Sequence, residues 1–247
     1  MRRPALSCLL LLLVLTAPTR GFEPTDSYDL RTIEGWHVRV SEKLVAEEEL
    51  CRQTIDLLRV KLFDANRAIP RRALEDLRRS VVVWVELDGE RFPGMCYHPS
   101  ADWLRENGFN PDKAGGIEVG NARNFLSWTR EQPSMVIHEL AHAWFDRLSR
   151  PQRRAVRGAY EQARRDGSYD SVLRASGSTE RAYAMNNVQE YFAELSEAYL
   201  GINDFFPFVP AELQKHDLGG YEAVAEAWRA EPTTRPASMP TTRSLAQ

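Results

Sequence analysis

The chain reads as an α+β fold, a small mixed N-terminal sheet with helices that leads into a mainly helical C-terminal lobe. Three observations predict this. Strand-like apolar runs at 33–40, 81–87 and 116–120 all precede residue 133, whereas apolar residues at helical spacing dominate after it. The 247 residues, 43% of them hydrophobic, can bury one substantial core or two small lobes sharing a cleft.

The first element is a leader. Arg2 and Arg3 precede an apolar run from Cys8 to Leu15, and Ala17, Pro18 and Gly21 follow it, the three regions of a secretory signal peptide over residues 1–21. The run is too short to span a bilayer, which argues against a stable membrane anchor. Cys8 lies before the apolar run, so Leu6-Ser7-Cys8 is not a lipoprotein site. The expected destination is the periplasm or the outside of the cell. Loss of the leader removes Arg2, Arg3 and Arg20, so 32 basic residues become 29 against 35 acidic ones, a formal charge of −6. No basic stripe is present, which speaks against nucleic acid as a partner. Export leaves Cys51 and Cys96, which form either one disulfide or two buried thiols.

Ile33–Val40 alternates as a strand, and Ser41–Phe63 carries Leu44, Leu50, Ile55, Leu58 and Leu62 on one helical face. Pro70 opens a short basic helix to about Arg79. Val81–Leu87 is the strongest strand, stopped by Asp88-Gly89. Residues 93–116 read as loops around a short helix at Ala101–Glu106, and Gly116–Gly120 as a further strand. Pro133 sits in the first turn of a helix that runs to about Leu148. Another helix follows Pro151, a longer one runs from Asn187 to Leu200 before Gly201, and Ala211–Lys215 and Tyr221–Ala230 complete the lobe. Residues 22–230 thus form the folded part. The Pro-, Thr- and Ser-rich stretch 231–247 has too little to bury and reads as a disordered tail.

The helix after Pro133 carries His138-Glu139-Leu140-Ala141-His142, an H-E-x-x-H sequence. Residues four apart share a helix face, so His138 and His142 can present two imidazoles to one Zn²⁺, with Glu139 beside them to act on water. The remaining sides of the helix are apolar, and two histidines and a glutamate buried there without partners would cost several kcal/mol. A zinc site needs a third ligand, and no H-x-x-G-x-x-H extension follows. The helix from Asn187 offers Glu190, Glu194 and Glu197 at i, i+4 and i+7. Their mutual repulsion turns favourable beside a dication. Asn187-x-x-Glu190 also reads as a capping box, in which Glu190 would only satisfy backbone N–H groups. Beside the histidine helix, Glu190 is the expected ligand. His98 in its loop, His37 in a strand and His216 beside Asp217 read as ordinary structural histidines, although His216 could line a cleft.

H-E-x-x-H with a distant glutamate on a second helix resembles the gluzincin metallopeptidases. The run Glu190-Tyr191-Phe192-Ala193-Glu194 is similar to the metal-binding helix in the catalytic domain of anthrax toxin lethal factor and related secreted metallopeptidases. The resemblance covers residues 133–200 only, so no toxin-like target or delivery partner follows from it. It implies a zincin-like fold with the metal site between the two helices, Zn²⁺ as cofactor and a peptide or protein as substrate. It also implies Glu139 as general base, Tyr183 as hydrogen-bond donor to the oxyanion, and Glu194 as the carboxylate that orients the first histidine, a role Glu197 could fill instead. The edge strand that such enzymes pair with substrate would be Ile117–Val119 or the segment Asn121–Leu126. Two other functions compete: a non-catalytic binding protein that keeps the fold, and a zinc hydrolase of a non-peptide substrate. The sequence sets no oligomeric state.

Overall fold

The computed structural model describes residues 22–88 and 92–229. The leader at 1–21, the tail at 231–247 and Gly89 of the strand stop lie outside the described residues. No helix among them is long and apolar enough to cross a membrane.

The architecture is mixed α+β. Strands β1 (Asp29–Ile33) and β2 (Trp36–Val40) form an antiparallel hairpin with Ile33 opposite Trp36. The single strand expected at Ile33–Val40 is therefore broken. Glu34 and Gly35 both adopt left-handed backbone (φ 51° and 81°), as a two-residue hairpin turn demands. Asn66 and Arg78 donate to the Glu34 carbonyl, and Asn66 accepts from the Trp36 indole (2.9 Å). Helices α1 (Glu42–Val45), α2 (Glu48–Ala68) and α3 (Arg71–Ser80) follow, so the helix expected over Ser41–Phe63 is two helices. Its apolar face is real: Leu44, Leu50, Ile55, Leu58 and Leu62 are all buried.

The chain then lays down β3 (Val82–Val85), β4 (Met95–Tyr97), α4 (Ala101–Glu106), β5 (Ile117–Val119) and α5 (Ala122–Trp128). The sheet order is β1-β2-β3-β5-β4, with β2, β3 and β5 parallel and an antiparallel strand at each edge. Two expectations change here. Ile117–Val119 is an interior strand, and most of Asn121–Leu126 is helix α5, capped by the Asn121 side chain. The edge beside α6 is β4, in a stretch expected to be loop. The four residues between Gly94 and Pro99 are too few to show a period, and pairing with β5 makes the first three a strand.

The C-terminal lobe contains α6 (Met135–Phe145), α7 (Arg150–Asp166), a two-stranded ribbon of β6 (Val172–Leu173) and β7 (Thr179–Glu180), and then α8 (Val188–Leu200), α9 (Pro210–His216) and α10 (Leu218–Arg229). Helices α6 and α8 pack along one another, and β4 lies against α6. Gly201 is required where α8 ends, since a Cβ there would sit 2.6 Å from Ser134 Oγ at the start of α6. That hydroxyl accepts from Ile202 N–H (3.0 Å) and ties the two helices together.

Candidate metal centre

Helix α6 buries Val136, Ile137, Leu140, Ala141 and Trp144, which fixes its rotation. His138 and His142 consequently share the face toward α8, with ring centroids 4.8 Å apart. Glu190 meets them from the first turn of α8. Its Oε2 lies 3.1 Å from His138 Nε2 and 3.2 Å from His142 Nε2. The three ligand atoms lie within 4.8 Å of one another. The Asn187 side chain caps α8 by accepting from Gln189 and Glu190 N–H (2.9 and 3.0 Å). Only this half of the expected capping box forms, because the Glu190 carboxylate turns to the histidines.

His138 Nδ1 donates to Glu197 Oε1 (2.7 Å), whereas Glu194 Oε1 is 3.7 Å from the same nitrogen. The orienting bond expected of Glu194 is thus made by Glu197. The reason is rotational: Glu197 lies seven residues after Glu190, on nearly the same azimuth of the helix. With Nδ1 held by Glu197, Nε2 is the atom that His138 turns to Glu190 and His142.

The electrostatics favour a cation. Burial works against charge on Glu190, yet the two imidazoles hold its carboxyl down at about 2. Burial also opposes charge on His138, but bonds to Glu190 and Glu197 outweigh it and raise the imidazole well above its ordinary range. Burial pushes Glu194 and Glu197 up, aided by the charge of Glu197 on Glu194 and of Asp204 on both. Both are about 3% exposed, and the Oε2 atom of each is buried without a partner. The protons held on this cluster stand where a cation would, and once they are released two imidazole nitrogens and a carboxylate oxygen are a donor set suited to Zn²⁺.

Glu139 is buried and Tyr183 is 46% exposed in a 3-10 turn (Tyr183–Met185), its ring centroid 6.3 Å from that of His138. Burial, and then the charge of Glu190, raise the Tyr183 phenol, so it carries its proton at neutral pH. Both residues line two cavities that meet at His138. One, of about 520 Å³, is walled by Phe92, Met95, Trp128, Met135 and Arg174. The other, of about 290 Å³, is walled by Cys96, Tyr97, Asp146, Gln189 and Glu190. The free edge of β4 borders both.

The other histidines stand apart from this group. His37 is exposed on β2, and His216 packs edge-on against Tyr169 and Phe206 (4.9 and 5.0 Å). His98 is buried against Glu118, and Cys51 and Cys96 are free thiols. The sequence reading missed that Glu118 of β5 meets both His98 and Lys113, because strand register and not local spacing brings them together. No family model, curated protein or solved structure matches this chain.

Proposed function

We propose that this chain is an exported zinc-dependent peptidase of gluzincin type. The observation that carries the reading is one Glu190 carboxylate oxygen facing the Nε2 atoms of both His138 and His142 at 3.1 and 3.2 Å. Those three residues would hold Zn²⁺, with Glu197 fixing the tautomer of His138. When bound, the ion lowers the pKa of water toward ~7 and polarises the scissile carbonyl.

The rest of the chemistry belongs to the chain. Glu139 takes the proton of the attacking water and returns it to the leaving nitrogen. Its seat between the two cavities lets it reach both groups. The Tyr183 hydroxyl donates to the oxyanion, and its raised pKa keeps that proton in place. Strand β4 offers free backbone groups to an extended peptide, and the cavities on either side receive its side chains. Glu139 and Tyr183 line both cavities and Glu190 one of them, with residues of β4 beside them, which supports this reading.

Zinc analysis paired with cleavage of a peptide library tests it. Wild type should hold zinc and cut peptides. Glu139→Gln should keep zinc and lose hydrolysis by about 10²–10⁴-fold, whereas Glu190→Ala should lose both. A Glu190→Ala protein that still carried one stoichiometric zinc would sink the ligand assignment, and a zinc-loaded wild type inert on the whole library would sink the activity.

A further inference from the structure

A second group of metal-ligating atoms lies outside the α6–α8 site. Cys96 pairs with Glu118 in register across β4 and β5, and His98 follows β4 directly. One nitrogen, His98 Nε2, is 2.5 Å from Glu118 Oε2 and 3.5 Å from Cys96 Sγ. The sulfur, nitrogen and oxygen lie within 4.8 Å of one another. An imidazole nitrogen offers a single proton or a single lone pair, so the close contact to Glu118 leaves the sulfur only a weak share of it.

The charge around this trio points the same way. Lys113 Nζ lies 2.7 Å from Glu86 Oε1 and 2.8 Å from Glu118 Oε1, so two carboxylates share one ammonium. Tyr28 donates to Glu86 (2.7 Å), and the rings of Tyr28 and Trp84 cover the Lys113 ammonium. His98, Glu118 and Lys113 are all buried, at 2%, 3% and 6% exposure. Two carboxylates thus meet a single lysine ammonium in a dry region, beside the imidazole and the thiol.

We propose that Cys96, His98 and Glu118 form a second divalent-metal site, selective for a borderline thiophilic ion such as Zn²⁺, that clamps β4 to the sheet. A thiolate, an imidazole nitrogen and a carboxylate oxygen are all established zinc ligands. Their bond lengths of about 2.0–2.3 Å require ligand atoms some 3–4 Å apart. The sulfur–nitrogen pair already meets this spacing, and the nitrogen–oxygen pair opens by about an ångström. Cys96 lines the smaller cavity together with His138 and His142, which gives an ion a path in. Burial and the charge of Glu118 keep the free thiol protonated, so uptake releases its proton. Cys96 lies within the strand offered to substrate and His98 directly after it, so the clamp would hold that edge in place.

Cobalt titration of the metal-stripped full-length protein tests this, because the α6–α8 site contains no sulfur. The expected result is two Co²⁺ per chain with a near-ultraviolet thiolate-to-cobalt charge-transfer band. Cys96→Ser should lose the band and one equivalent, Cys51→Ser should keep both, and Glu190→Ala should lose one equivalent and keep the band. One equivalent without the band in wild type overturns the second site and leaves the peptidase reading standing. One equivalent with the band supports the second site and counts against the α6–α8 centre. A band lost in Cys51→Ser overturns the assignment outright.

Discussion

At the scale of single residues, the orienting carboxylate and the phenol separate two ways of disturbing one site. Glu197 accepts from His138 Nδ1 at 2.7 Å, and Glu194 stands off at 3.7 Å. Partners of this kind are worth about 10–100-fold in metal affinity. Glu197→Gln should therefore weaken zinc binding by that order, and Glu194→Gln by clearly less, in competition against a chromophoric chelator. A larger loss from Glu194→Gln would restore the role that the resemblance assigned to it. Tyr183 makes no bond to His138, His142 or Glu190, so Tyr183→Phe should leave zinc affinity unchanged. Hydrolysis should fall by about 10²–10³-fold in kcat with little change in KM, since the hydroxyl acts only once the oxyanion forms. An equal rise in KM with kcat preserved would make it a substrate-binding residue instead. Which glutamate takes the histidine could not be read from the sequence, because Glu194 and Glu197 both fall on the face toward α6. The choice depends on a few degrees of helix rotation set by packing.

Among elements, legibility followed local signals. The short helix at Ala101–Glu106 was readable because the Ser100 hydroxyl caps it, and α8 because Asn187 opens it and Gly201 closes it. His138 and His142 were readable together for the same reason, since i,i+4 spacing is a local fact. The hairpin turn hid inside an alternating stretch, and β4 exists only through its partner β5. Cys96, His98 and Glu118 meet only through strand register, which no local pattern encodes. The helices that carry the α6–α8 site are in turn held by α10. Trp228 stacks on Trp144 of α6 (5.7 Å, 10°) and on Phe192 of α8 (6.1 Å, 18°). The Trp228 indole donates to Ser196 Oγ, and the Trp144 indole to the Ala227 carbonyl, each at 2.9 Å. Trp228→Ala should cost about 3–5 kcal/mol of folding stability, read as a lower urea midpoint. Trp228→Phe keeps an aromatic ring in the stack and loses chiefly the indole hydrogen bond, worth about 1 kcal/mol. Equal losses from the two would mean that the bond to Ser196, rather than the stack, joins α10 to α8.

For the whole molecule, the two ends of the described chain are secured by tyrosines that donate to buried or half-buried carboxylates. Near the start, Tyr28 donates to Glu86 beside the end of β3. In the C-terminal lobe, Tyr169 and Tyr191 both donate to Asp217 Oδ2, joining the segment after α7, helix α8 and the junction of α9 with α10. Burial first, and then the charge of Glu86 or Asp217, raises all three phenols above their ordinary range. An unfolded chain releases these protons near pH 10, while the folded chain retains them. The folded state is thus the more protonated one, and its advantage is complete below pH ~10 and declines as pH rises beyond that. The linkage slope reaches about 1.4 kcal/mol per pH unit for each tyrosine. Urea midpoints should accordingly be insensitive to these groups near neutrality and fall steeply above pH ~10. Phenolate absorbance from the three should appear together with loss of tertiary structure, as followed by near-ultraviolet circular dichroism. Ionisation of all the tyrosines while the near-ultraviolet spectrum stayed native would show that Glu86 and Asp217 do not hold the two ends in this way.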